Sequence, residues 1–173
     1  MDYRPIIIKG FEVRKMEAAS YEIEQANAAD IKPMLDFWRS IPGLRVGRGD
    51  TESSLNAFLE RNPTTCLLLK INGGLMGTVL GGFDGRRGYI YHLAVHPDYQ
   101  GRGYGKMLLS RVSGQLKDLG APKIHLFAFG DNHTAEGFYL CQGWEKRCDI
   151  QVFSWDISEG IPSEITLSDE ENL

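Results

Sequence analysis

The chain has 173 residues, 42% hydrophobic and 24% charged, a balance that suits one soluble globular domain and excludes a disordered or fibrous polypeptide. Its net charge of −4 is unevenly spread: residues 156–173 carry six acids and no Lys or Arg, leaving 19 basic against 17 acidic residues elsewhere. So weak a basic field argues against nucleic acid as a partner, and no apolar run is long enough to span a bilayer.

Residues 1–20 form an N-terminal extension. Ile6-Ile7-Ile8, with Phe11 and Val13, suits either a short strand or an arm over the core, and the charges flanking the triplet do not make a signal peptide. Residues 21–25 read as the first strand of a domain running over 21–155. Asp30 is placed to cap a helix that tolerates Pro33 in its first turn. In that helix Ile31, Met34, Leu35 and Trp38 fall on one stripe. Residues 41–50 form a loop with three glycines and two arginines, and a second helix from about Thr51 turns Leu55, Phe58 and Leu59 inward until Asn62-Pro63 ends it.

Residues 65–71 predict a strand, Asn72-Gly73-Gly74 a hairpin turn, and residues 75–83 the return strand. Gly77, Gly81 and Gly82 in that strand suggest bulges or close approach of a ligand. Asp84-Gly85-Arg86-Arg87-Gly88 makes the next hairpin. Tyr89 to Val95 is an apolar strand stopped by Pro97-Asp98, and Gly101, Gly103 and Gly105 follow before a helix marked by Leu108, Val112 and Leu116. A strand over 123–129, a short helix after Asn132 and one or two closing strands within 144–155 complete the domain. The acidic tail, 156–173, is expected to be mobile. Cys66, Cys141 and Cys148 lack metal spacing and suit reduced thiols in the cytoplasm, and no metal is expected.

The strand–glycine turn–helix unit aims backbone N–H groups and a helix N-terminus at one point, where Arg102 and Lys106 add positive charge; this predicts a phosphate or pyrophosphate site. Neither a P-loop nor a dinucleotide fingerprint fits. Met107 stands where the P-loop hydroxyl belongs, and Lys106 stands at the third glycine of the fingerprint. The run Gln100-Gly101-Arg102-Gly103-Tyr104-Gly105 instead matches Q/R-x-x-G-x-G/A after Leu-Ala-Val-His-Pro, and Asn132 opens a segment carrying Phe138-Tyr139 and ending at Gly143-Trp144. Together these resemble the GNAT family of N-acetyltransferases, most of all its small bacterial YpeA-type members.

The resemblance implies an α/β (α+β) fold with a mixed, mostly antiparallel sheet of six to seven strands, helices on both faces, and a splayed central pair. It implies acetyl-CoA as co-substrate. Pantetheine would lie along the main chain of Leu93, Ala94 and Val95, and the pyrophosphate on Gln100 to Lys106, including Gly101, Arg102, Gly103, Tyr104 and Gly105. Asn132 would cap its helix or touch pantetheine, beside Phe138. Tyr139 matches the general acid. The Glu that some members carry as base is replaced by Phe127, so Tyr91 and His92 are the candidate bases; histidine's ordinary pKa suits the task. Arg45 and Arg48 suit an acceptor carboxylate, Asp50 and Asp84 an ammonium. The expected activity is acetyl transfer to a small-molecule or peptide amine, by a monomer or homodimer, with a catalytically silent acyl-CoA sensor as the alternative.

Overall fold

The structure, a computed structural model, describes residues 20–157; residues 1–19 and most of the acidic tail lie outside the described residues. The chain divides into two compact units at the His133–Thr134 junction. The first unit contains one five-stranded sheet in the order β1-β2-β3-β4-β5. Its strands are β1 (Tyr21–Gln25), β2 (Cys66–Ile71), β3 (Gly74–Phe83), β4 (Gly88–Val95) and β5 (Ile124–Leu126). Neighbours are antiparallel except β4 and β5. Helices α1 (Ile31–Ser40) and α2 (Glu52–Arg61) precede β2, and α3 (Tyr104–Asp118) makes the crossover from β4 to β5.

Both faces of the sheet are covered. The stripe of Ile31, Met34, Leu35 and Trp38 is buried, and Leu55 and Leu59 of α2 join it in a cluster with Leu68 and Leu80. On the other face α3 buries Leu108, Leu109, Val112 and Leu116. The glycines of β3 explain how close these layers lie. A Cβ at Gly81 would stand 2.6 Å from Val112 Cγ2, and one at Gly77 3.2 Å from Leu108 Cδ1. The glycines expected to admit a ligand thus admit α3 instead, except Gly82, whose Cβ would meet Phe58 of α2 at 3.2 Å.

The β2–β3 turn is the predicted one, with Asn72 at φ 50° and Gly73 at φ 79°, both left-handed. Other expectations shift. Asn27 caps a 3₁₀ turn over Ala28–Asp30, and the Asp30 carboxylate reaches back to the Asn27 N–H at 3.0 Å, so Asp30 completes a capping box rather than capping α1 with its own side chain. The strand expected over 123–129 keeps only Ile124–Leu126. No strand forms over 144–155; with five strands among the described residues, the mixed sheet is smaller than the expected six to seven. The second unit includes most of α4 (His133–Cys141), whose Tyr139 packs on Phe138 and Trp144 at centroid distances of 5.2 and 5.7 Å.

Candidate active site

The glycine turn opens onto the start of α3. After β4 a 3₁₀ turn, Pro97–Tyr99, is capped by His96, and Gln100 Nε2 donates to the Val95 carbonyl at 2.8 Å. Gly101 and Gly103 adopt φ of 71° and 87°. An added Cβ would meet nothing at either, so backbone conformation rather than crowding requires glycine. Gly103 is the N-cap of α3, and the first intrahelical bond runs from the Met107 N–H to its carbonyl at 3.0 Å. The N–H groups of Tyr104, Gly105 and Lys106 therefore have no partner in the helix and point out of its positive end. Arg102 lies over the Tyr99 ring at 5.2 Å, and it and Lys106 are exposed.

Strand β4 changes partners halfway. Its parallel pairing with β5 covers Gly88, Ile90 and the residue between, then stops; from Tyr91 onward it pairs with β3 alone. There it bulges: Leu80 faces Tyr91 but Thr78 faces Ala94, one residue out of step, and His92 sits at φ 47°. A non-glycine residue in that region costs about 1–2 kcal/mol. A buried bond offsets the cost. The Thr78 hydroxyl, fully buried, donates to the His92 carbonyl at 2.8 Å and accepts from Trp38 Nε1 at 2.9 Å.

The bulge sets two consecutive side chains against the α1–α2 layer. Tyr91 meets Phe58 edge-on, with centroids 5.8 Å apart. The His92 ring stacks on Trp38 at 4.0 Å and 18°. Its Nε2 lies 2.7 Å from Asp50 Oδ1, and Asp50 Oδ2 accepts the Gly47 N–H at 2.6 Å. A carboxylate only accepts, so Nε2 carries the proton and Nδ1 of the neutral ring keeps its lone pair. Nδ1 has no hydrogen-bond partner among the described residues and is not sealed from solvent. Asp50 thus fixes the orientation of the His92 ring.

An open cleft of about 400 Å³ adjoins Tyr91, between α2 and the β3–β4 hairpin. Phe58, Tyr89, Tyr91 and Phe83 supply most of its apolar wall, with Arg61 and Asp84 among its charged lining. Asp84 also holds the hairpin, its Oδ1 accepting from the Arg86 and Arg87 N–H groups at 2.7 and 2.6 Å, which keeps its carboxyl below the usual range. Burial raises the Tyr91 phenol, and it pushes the Tyr139 phenol up to about 12.

The predicted residues thus fall into groups. Asp50, expected to bind an acceptor ammonium, meets His92 at 2.7 Å. Tyr91 and Asp84 line the cleft. Leu93, Ala94 and Val95 form the half of β4 that β5 does not reach, with Ala94 and Val95 still paired to Thr78 and Gly77 of β3. Arg45 sits over the Phe129 ring at 4.1 Å and 3.7 Å from Asp131, while Arg48 is exposed on the same loop. Asn132 directly precedes α4 and its N–H donates to the Phe129 carbonyl. Sequence reasoning missed Trp38, Thr78 and Phe58. Their apolar or β-branched character marks them only as core, and their partners lie 14 to 40 residues away.

Residues 31–144 match the model of the acetyltransferase (GNAT) family. The chain is 37% identical over 118 residues to an acetyltransferase of Pectobacterium atrosepticum, covering 68% of this chain and 83% of the relative. It is 36% identical over 131 residues to an acetyltransferase of Yersinia pestis strain Pestoides F, covering 76% and 92%. Among solved structures, the PaiA N-acetyltransferase of Thermoplasma acidophilum in complex with coenzyme A superposes with a TM-score of 0.61 at 17% identity, over 71% of this chain and 88% of that one.

Proposed function

The chain belongs to the GNAT family of acetyltransferases, and from that membership we propose that it moves an acetyl group from acetyl-CoA to an acceptor amine by direct attack in a ternary complex. The observation that carries the proposal is the pairing of an anion cradle at one end of β4 with an Asp50-oriented His92 at its bulge. The cradle takes the pyrophosphate. Pantetheine lies along the half of β4 that β5 leaves unpaired, reaching back from the glycine turn toward the bulge. An alkylammonium, with an ordinary pKa near ~10.4, must lose a proton before it attacks, and His92 Nδ1 accepts it. The amine nitrogen bonds to the thioester carbonyl carbon, and main-chain N–H near Leu93 stabilises the oxyanion. Collapse breaks the C–S bond; the Tyr139 hydroxyl hydrogen-bonds the departing sulfur, and the second proton that the nitrogen sheds as it becomes an amide goes to that sulfur, directly or through the Tyr139 hydroxyl, so CoA leaves as the thiol. A phenol held protonated to about 12 remains a donor throughout the working range.

The test is single-turnover thiol release with a broad amine panel, in wild type and His92→Gln. The variant is expected to lose about 10²–10⁴ in rate with CoA affinity unchanged, the loss shrinking at alkaline pH where the acceptor deprotonates unaided. Asp50→Asn should fall partway. A protein that binds CoA yet releases no thiol with any amine would be the acyl-CoA sensor instead.

A further inference from the structure

We propose that the acceptor carries an aromatic ring, seated in the cleft between α2 and the first half of β4. This rests on the transferase reading above and names its substrate class. The cleft's volume of about 400 Å³ suits one ring on a short stem. Its walls are themselves rings. Phe58 and Tyr91 stand edge to face at 5.8 Å and 90°, and Tyr89 lines the same cleft, so a third ring finds both edges and faces to pack on. Gly82, also in the lining, lets these rings settle onto β3: its missing Cβ would lie 3.2 Å from Phe58 Cζ and 3.6 Å from Tyr91 Cε2.

The bulge connects this site to the chemistry. In a regular strand Tyr91 and His92 would face opposite ways. Here Tyr91 meets Phe58 of α2 while His92 stacks on Trp38 of α1, both on one side of the sheet. Tyr91, which lines the cleft, and His92 are consecutive, about 3.4 Å apart along the strand. A ring packed against Phe58 and Tyr91 therefore sits beside the residue that precedes His92, and a short alkyl stem carries its amine toward the imidazole.

The charges select against other amines. The lining has one carboxylate, Asp84, with one oxygen already committed to the hairpin, and one guanidinium, Arg61. A polycation needs successive carboxylates and would meet a cation here. A linear aliphatic amine would leave the rings without a flat partner.

The experiment compares phenethylamine, n-hexylamine and spermidine as acceptors at saturating acetyl-CoA, in wild type and Ala57→Leu. Ala57 lines the cleft from α2, and leucine is a good helix former that fills the space. Phenethylamine is expected to exceed hexylamine at least tenfold in kcat/KM, with spermidine weaker still, and Ala57→Leu should erase the preference while CoA affinity holds. Hexylamine or spermidine equal to phenethylamine in wild type would overturn the proposal, and so would a folded Ala57→Leu that keeps the preference. Calorimetric titration of phenethylamine into CoA-loaded protein reads the cleft without turnover. Saturable binding that Ala57→Leu abolishes, without thiol release, would support the cleft and refute the transferase reading. Turnover with other amines and no phenethylamine binding would do the reverse. Should Ala57→Leu not fold, the wild-type comparison decides alone.

Discussion

Replacing Thr78 by valine removes one oxygen and leaves two buried groups stranded. The hydroxyl accepts from Trp38 Nε1 at 2.9 Å and donates to the His92 carbonyl at 2.8 Å, with Thr78 and Trp38 fully buried and His92 partly so. Valine fills the same volume, so no cavity opens. What remains is the desolvation of an indole N–H and a carbonyl, each about 1–3 kcal/mol when unpaired. Partial relaxation sets the expected loss at about 2–5 kcal/mol. For a domain of this size each kcal/mol lowers the thermal midpoint by about 2–4 °C, so the fall should be on the order of 5–15 °C. Thr78→Ser keeps the oxygen and gives up a methyl, about 1 kcal/mol. Urea unfolding followed by circular dichroism gives both differences from the shift in midpoint at constant m. The valine variant should also slow single-turnover thiol release, because the carbonyl that fixes the bulge is free. A valine variant within 0.5 kcal/mol of wild type, or a serine variant no better than valine, would refute the reasoning that this hydroxyl secures the bulge.

Gly103→Val places a β-branched residue at φ 87° where α3 begins; CoA affinity by calorimetry should drop at least tenfold, about 1.4 kcal/mol, with the fold retained. Gly81→Ala drives a methyl to 2.6 Å from Val112 Cγ2 and to 3.0 Å from Thr65 Cβ and its carbonyl oxygen and should cost about 1–3 kcal/mol, only part of it recovered in the double variant with Val112→Ala, by urea unfolding. Tyr139→Phe should lower the chemical rate toward the lower end of 10²–10⁴ at unchanged CoA affinity. With the Tyr139 phenol at about 12, the wild-type rate should show no alkaline decline from loss of this donor until the pH approaches that value.

Local conformational demands were legible in the residues. Asn72-Gly73 and Gly101-x-Gly103 name positions that need left-handed φ, and the α1 stripe repeats at helical spacing, so turn, cradle and helix follow from the chain itself. Features decided by pairing across the sheet were not. His92 lies in a left-handed bulge although nothing in Tyr-His-Leu-Ala calls for one; the cause is the one-residue slip against β3 and the Thr78 hydroxyl across the ladder. The contact between Asp50 and His92 spans 42 residues, and no local pattern announces it. The Phe58–Tyr91 cleft depends on how α2 lies over β4, which a helical stripe alone leaves undetermined. The apolar run Val152-Phe153 and Trp155 has strand composition, yet it stays exposed and unpaired in the described structure, because composition supplies no partner strand.

The stacking of Trp38 on His92 gives the molecule an internal optical reporter. Of the three tryptophans, Trp38 is fully buried while Trp155 is 57% exposed, so their emission bands separate by polarity. An indole in face contact with imidazole is quenched more strongly by the charged ring than by the neutral one. The blue component of the intrinsic fluorescence should therefore follow the charge on His92, and a Trp144→Phe/Trp155→Phe protein would report that charge continuously, without label or substrate.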